Sequence, residues 1–256
     1  MIGIVGGIGP MAGADLYKRI VENTVAHKDQ EHLPVLLASM PNEIPDRTEY
    51  LLGKTQENPA IAISKIILML EKAGAGYIGI ACNTAHAPQI LEPMIDILRD
   101  QHSRVKIVDM IGETLEAILE HPDGIQRVGL LSTTGTFKTR IYQQRLEAAG
   151  LIPVVLDLEQ HEALPQRAIY QIKAHASEIP QAPVDLINRA IALLKAQGAE
   201  AIVLGCTELG MIEHRLDTLG LEVFNPNEIL ARALIRHSYP SKLKVSAETL
   251  EHAVNP

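Results

Sequence analysis

One pattern of residues occurs twice in this chain. Gly74-Ala75, followed by apolar residues at Ile78 and Ile80 and then by Cys82, recurs as Gly198-Ala199 with Ile202, Leu204 and Cys206, 124 residues later. The opening run Gly3-Ile4-Val5-Gly6-Gly7-Ile8-Gly9 has a fainter counterpart in Gly129-Leu130-Leu131-Ser132-Thr133-Thr134-Gly135, at an offset of 126. Val105 to Asp109 matches Leu221 to Asn225 in the same way, at 116. Three matches in the same order and at similar spacing point to two copies of one structural unit.

The repeated unit is of the α/β class. Short β-branched runs near Ile2 to Val5, Val35 to Ser39, Tyr77 to Ala81, Val105 to Val108, Arg127 to Leu131, Pro153 to Leu156, Ala201 to Leu204 and Glu222 to Phe224 read as strands. Segments of helical period, such as Ala60 to Lys72 and Asp185 to Gln197, separate them. That alternation predicts two pseudo-symmetric α/β lobes, each a mainly parallel sheet flanked by helices, with a site in the cleft between them. At 46% hydrophobic and 21% charged residues, 256 residues suffice to bury such a core without disulfides or metals.

Composition removes several classes of partner. The formal charge of −8, from 23 basic and 31 acidic side chains, disfavours nucleic acid. Six Tyr, two Phe and no Trp are too few for base-stacking platforms or membrane belts, and no apolar run reaches the ~18 residues a bilayer requires. The uncharged start up to Asp15 lacks a preceding Lys or Arg and carries five glycines and a proline, so it is not expected to be a secretory signal. The expectation is a cytoplasmic protein whose two cysteines stay reduced.

Both cysteines stand where an apolar strand ends and a polar helix start begins, the edge at which open α/β sheets bind ligands. The backbone N–H groups of Asn83, Thr84 and Ala85, and of Thr207 and Glu208, are expected to point outward there, ready for a carboxylate. The same field favours thiolate over thiol. With no Cys-x-x-Cys and no paired histidine motif among ten histidines, neither a metal site nor a redox dithiol fits the spacing. His86, four residues past Cys82, is placed to share its helix face. The glycines at 3, 6, 7 and 9 do not match a dinucleotide fingerprint, and they read instead as a strand end that lets backbone approach a small ligand. Arg47, in the polar cluster Pro41 to Thr48, is a natural bidentate clamp for a carboxylate, and Lys173, on the helical stretch 168–176, is a second cation from the other lobe.

These residues resemble the cofactor-independent aspartate/glutamate racemase family, and within it the aspartate racemases. The resemblance runs over nearly the whole chain and is carried by residues 3–12, by Ile-Pro-Asp-Arg-Thr (44–48), by Cys-Asn-Thr-Ala-His (82–86), by Thr-Thr-Gly-Thr (133–136) and by Gly-Cys-Thr-Glu (205–208). It implies Cys82 and Cys206 as paired acid and base, with Asn83, Thr84, Thr207 and Glu208 beside them. It further implies Arg47 and Lys173 as the cations that hold an acidic side chain. It implies a homodimer, a small amino-acid substrate, and neither pyridoxal phosphate nor metal. In the family's architecture the first lobe takes residues 1–102 and 215–238, the second takes 103–214, and a tail follows from 239 to 256.

The chemistry suits the residues. Racemisation removes the Cα proton and returns one to the opposite face, which requires two bases on opposite sides of one plane, and thiols can serve alternately as thiolate base and thiol acid. Glutamate, broad-specificity amino-acid and hydantoin racemases and maleate isomerases use similar cysteine pairs, whereas arylmalonate decarboxylase lacks one of the two. Arg47 together with Lys173 ranks aspartate ahead of glutamate and maleate. A two-lobed binding protein for small acids and a redox-sensing dithiol are the readings from other classes.

Overall fold

The computed structural model describes residues 1–175 and 178–245. All eight expected strands are present. The first lobe runs β1 (Ile2–Gly6), α1 (Pro10–Glu22), β2 (Val35–Ser39), α2 (Arg47–Leu51), α3 (Pro59–Lys72), β3 (Tyr77–Ile80), α4 (Pro88–Asp100) and β4 (Lys106–Ile107). After α5 (Met110–Leu119) the second lobe runs β5 (Arg127–Ser132), α6 (Thr134–Thr139), α7 (Ile141–Ala148), β6 (Ile152–Val154), α8 (Leu158–His161), α9 (Arg167–Ala174), α10 (Gln181–Ala196), β7 (Ala201–Gly205) and β8 (Glu222–Phe224), and α11 (Pro226–Ser238) is the last α-helix among the described residues. Between α8 and α9, residues Glu162–Gln166 form a π-helical segment.

Each sheet has four parallel strands, ordered β2-β1-β3-β4 and β6-β5-β7-β8. The repeat seen in sequence is thus a repeat of position: β1 corresponds to β5, β3 to β7 and β4 to β8. Parallel strands with both faces covered must be apolar throughout, and β1, β7 and the last five residues of β5 are buried at every residue. The order reverses between β1 and β3 in one sheet and between β5 and β7 in the other, so each lobe has a crevice at the carboxyl ends of those strands.

The lobes exchange one helix each. Once β4 is complete the chain crosses over, and α5 lays Ile111 and Ile118 against Val128, Leu130 and Phe224 of the second lobe. Once β8 is complete it returns, and α11 packs Leu230, Leu234 and Ile235 against Ile2, Ile4 and Leu16 of the first. Each such fully buried Leu or Ile contributes about 1.5–3 kcal/mol. Gly79 allows this return, because a Cβ there would stand 2.6 Å from Leu234 Cδ1. The pairing corrects the boundaries expected from sequence. Residues 106–107 belong to the first sheet beside β3, and residues 222–224 belong to the second beside β7. The crossings therefore fall near 109 and 225, because a short edge strand completes each sheet before the chain leaves it. Of the tail, residues 239–245 lie against the first lobe through Leu243, which bridges to Thr24, while 246–256 lie outside the described residues, as does the expected end of the helix at 176.

Candidate active site

The two crevices face each other across one cavity of about 290 Å³. Five helix starts converge on it: Gly9–Met11 at α1, Asp46–Thr48 at α2, the 3-10 turn after Cys82, Thr133 at α6, and the 3-10 turn after Cys206. Helix starts present unpaired backbone N–H groups and positive partial charge, so the cavity favours an anion before any side chain is counted.

On the first-lobe wall, Cys82 caps a 3-10 turn in extended conformation, and the side chains around it are tied down by neutral hydrogen bonds. Tyr142 Oη donates to Asn83 Oδ1 at 2.5 Å, which leaves the buried Asn83 Nδ2 without a protein partner. Thr84, Thr133 and Thr136 form a closed trio of hydroxyls at 2.9–3.2 Å, joining the Cys82 turn to the second lobe. His86 Nδ1 donates to the Cys82 carbonyl at 2.9 Å, and burial holds its pKa below the ordinary imidazole range, so the ring stays neutral. Ala85 corrects the sequence expectation: its side chain is fully buried in the first-lobe core and does not line the cavity, because the turn directs it inward. Arg47 does line the cavity. Its Nη2 donates to the Ile8 carbonyl at 2.5 Å and its Nη1 to the Pro45 carbonyl at 3.1 Å, while the buried Nε has no partner.

The second-lobe wall is ionic. Cys206 Sγ donates to Glu208 Oε2 at 3.0 Å, and the other oxygen of Glu208 is bound by Lys173 Nζ. Thr207 Oγ1 donates to the Ala81 carbonyl of the first lobe at 3.3 Å. Burial followed by the adjacent Glu208 charge pushes the Cys206 thiol well above the ordinary thiol range, with Lys173 opposing only in part. Burial alone would also raise Glu208, but the Lys173 charge and the hydrogen bonds from Lys173 and Cys206 hold its carboxyl below the usual carboxylate range. Lys173, which burial would lower, is held above the ordinary ammonium range by Glu208 and by the two sulfurs. At neutral pH this wall carries a neutral thiol, a carboxylate and an ammonium. Gly9 leaves room for Glu208, since a Cβ at that position would displace the carboxylate at Oε1.

The site therefore gathers Cys82, Asn83, Thr84, Arg47, Lys173, Cys206, Thr207 and Glu208 around one cavity. Sequence reasoning missed Gln166 and the Tyr142 that orients Asn83, and singled out Thr133 only as part of the motif 133–136. Pro165 inside a helical stretch was the available signal for Gln166, marking a local irregularity that turns a side chain toward the cleft. Among the described residues, no three His, Cys, Asp or Glu side chains lie close enough to hold a metal ion, and no helix is long and apolar enough to cross a membrane.

Comparison with known proteins agrees with this fold. The family model Asp/Glu/Hydantoin racemase matches residues 5–234. The structure of Picrophilus torridus aspartate racemase superimposes with a TM-score of 0.78 at 29% identity, covering 95% of this chain and 95% of that one. Over 244 residues the chain is 22% identical to a broad specificity amino-acid racemase of Bacillus subtilis, spanning 92% of this chain and 96% of that protein. A Pseudomonas aeruginosa glutamate racemase is 29% identical over 170 residues, which span 65% of this chain and 59% of that enzyme. A family model that spans both crevices and both cysteines leaves one conclusion: the chain belongs to the Asp/Glu/Hydantoin racemase family and is an isomerase.

Proposed function

We propose that the chain interconverts L- and D-aspartate by two-thiol proton transfer without a cofactor. The observation that carries the reading is that one cysteine from each lobe opens into the same anion-favouring cavity, with Arg47 at its side. In this reading the α-carboxylate sits on the backbone N–H groups of the two 3-10 turns and on Asn83 Nδ2, and Arg47 holds the side-chain carboxylate. A thiolate on one face takes the Cα proton; the C–H bond breaks and an S–H bond forms. The electron pair spreads into the α-carboxylate, where the backbone donors stabilise it. The thiol on the opposite face then gives its proton to Cα, and the thiolate has changed sides.

The resting protonation supports one starting assignment. Cys206 carries its proton, donated to Glu208, so it is poised as the acid, and in a two-thiol reaction the base is then drawn from the opposite wall. For the other enantiomer Cys206 must first lose that proton, and Glu208 is the acceptor within hydrogen-bond distance. Because a racemisation has an equilibrium constant of one, kcat/KM is equal in the two directions. The asymmetry between the thiols therefore falls on kcat and KM separately.

The reading is tested by incubating the purified protein with L-aspartate, D-aspartate, L-glutamate or maleate in deuterium oxide. Deuterium at Cα and loss of optical rotation with aspartate are expected. Faster exchange with glutamate would move the substrate assignment, and no exchange with any amino acid would overturn the reading.

A further inference from the structure

From the cleft geometry we infer that Gln166 is a specificity-determining residue, donating from Nε2 to the side-chain carboxylate of the substrate beside Arg47; this rests on the acidic amino-acid reading above. Three observations lead to it. First, the orientation of the Gln166 amide is set by a donor that cannot be reversed. The backbone N–H of Thr134 donates to Gln166 Oε1 at 2.7 Å, so the –NH2 group is the end left over. Gln166 lines the cavity, and Nε2 has no hydrogen-bond partner among the described residues.

Second, packing of α6 against α2 links the Gln166 contact at Thr134 to the helix that carries Arg47. The Gln166 carbonyl oxygen caps the first turn of α6 at Thr134, and one residue on, Gly135 packs against Thr48, with only 3.1 Å between a Cβ placed there and Thr48 Cα. Thr48 follows Arg47 directly in α2. The helix starts that carry Arg47 and Thr134 thus meet between the two lobes, and both Arg47 and Gln166 line the cavity beside them. Third, Lys173 is engaged by Glu208, whereas Gln166 Nε2 is a cavity-lining donor with no protein partner among the described residues. The π-helical segment Glu162–Gln166 makes the placement possible. It is anchored by buried Leu164 and Pro165, and by His161 stacked on Phe137 at 4.3 Å between ring centres.

Gln166→Glu isolates the donor. The carboxylate still accepts from Thr134 N and suits a helix start, but it presents an anionic oxygen where the –NH2 group stood. Calorimetric binding of succinate and of butyrate, which lacks the second carboxylate, reads the effect without needing turnover. Wild type is expected to prefer succinate, and Gln166→Glu is expected to weaken succinate by about tenfold or more while leaving butyrate within about twofold. A Gln166→Leu variant of unchanged melting temperature is expected to show the same direction to a smaller degree. Equal loss of both acids would place Gln166 at the α-carboxylate and overturn the inference, as would unchanged succinate binding or a wild type without preference. Failure of the racemase reading is separate: it shows as absence of Cα exchange in wild type even where succinate binding depends on Gln166.

Discussion

The turns after β3 and β7 are the same backbone device in two electrostatic settings. Cys82 and Cys206 both sit in extended conformation before a 3-10 turn, at φ −161°, ψ 113° and φ −135°, ψ 126°. Two residues on, the first lobe has Thr84 in a ring of hydroxyls and the second has Glu208 in an ion pair. Duplication of the fold supplies two thiols with matched geometry. Divergence of the neighbours places a buried carboxylate beside Cys206 alone, and with burial it raises that thiol. The neutral wall is tied to the other lobe by hydroxyl and amide hydrogen bonds, whereas the ionic wall depends on a buried charge pair.

Removing Lys173 is expected to break the contrast most severely. Lys173→Met leaves the Glu208 carboxylate buried and unpaired, which costs about 3–5 kcal/mol at neutral pH. The pH dependence gives the sign. In the wild type the folded-state pKa of Glu208 is depressed, so its stabilisation is present above the unfolded value and lost as pH falls through the folded one. In the variant burial is opposed only by the Cys206 and backbone hydrogen bonds and no longer by a cation, so protonation relieves the penalty and the stability deficit narrows on acidification. Denaturant melts at several pH values check this; a deficit that widens in acid contradicts it.

Next in size is Arg47→Ala. It removes the cleft's cation that is not ion-paired to Glu208, and it is expected to cost about 2–5 kcal/mol in aspartate binding with the fold intact. Unchanged KM for aspartate would remove the carboxylate clamp from the reading. Glu208→Gln erases the charge that raises Cys206 and leaves Lys173 beside it. The Cys206 thiol is then expected to titrate roughly 1–3 pH units lower, read as the pH dependence of its alkylation rate. An unmoved profile would show that burial alone sets this thiol. Smallest is Tyr142→Phe, which frees the Asn83 amide to rotate. A several-fold rise in KM, corresponding to about 1 kcal/mol, with kcat nearly unchanged is the expected result; a fall in kcat at constant KM would place Tyr142 in the chemical step.

The sequence carried the architecture because strands and their order leave local marks. Apolar runs ending in Cys82 and Cys206 mark the sheet edges, and the matched offsets mark the duplication. Arg47 was legible because it follows a strand in a polar loop that topology brings to the same edge. The engagement of Lys173 by Glu208 was not legible, since the two are 35 residues apart and meet only because α9 packs beside the β7 turn. Gln166 escaped notice because a π-helical segment shifts the helical phase, and Ala85 was misplaced because a 3-10 turn rotates its side chain into the core. The lobe boundaries slipped because β4 and β8, at two and three residues, are too short to show by periodicity which sheet they join.

The claim that two thiols act from opposite faces is tested most directly by following Cα exchange in deuterium oxide for Cys82→Ser and Cys206→Ser, each with L- and with D-aspartate. Both variants are expected to lose racemisation. Each is expected to retain slow exchange with one enantiomer only, and the two variants are expected to retain opposite ones, because each keeps the base for a different face. Racemisation surviving in either variant, or exchange of the same enantiomer in both, would contradict the two-thiol account.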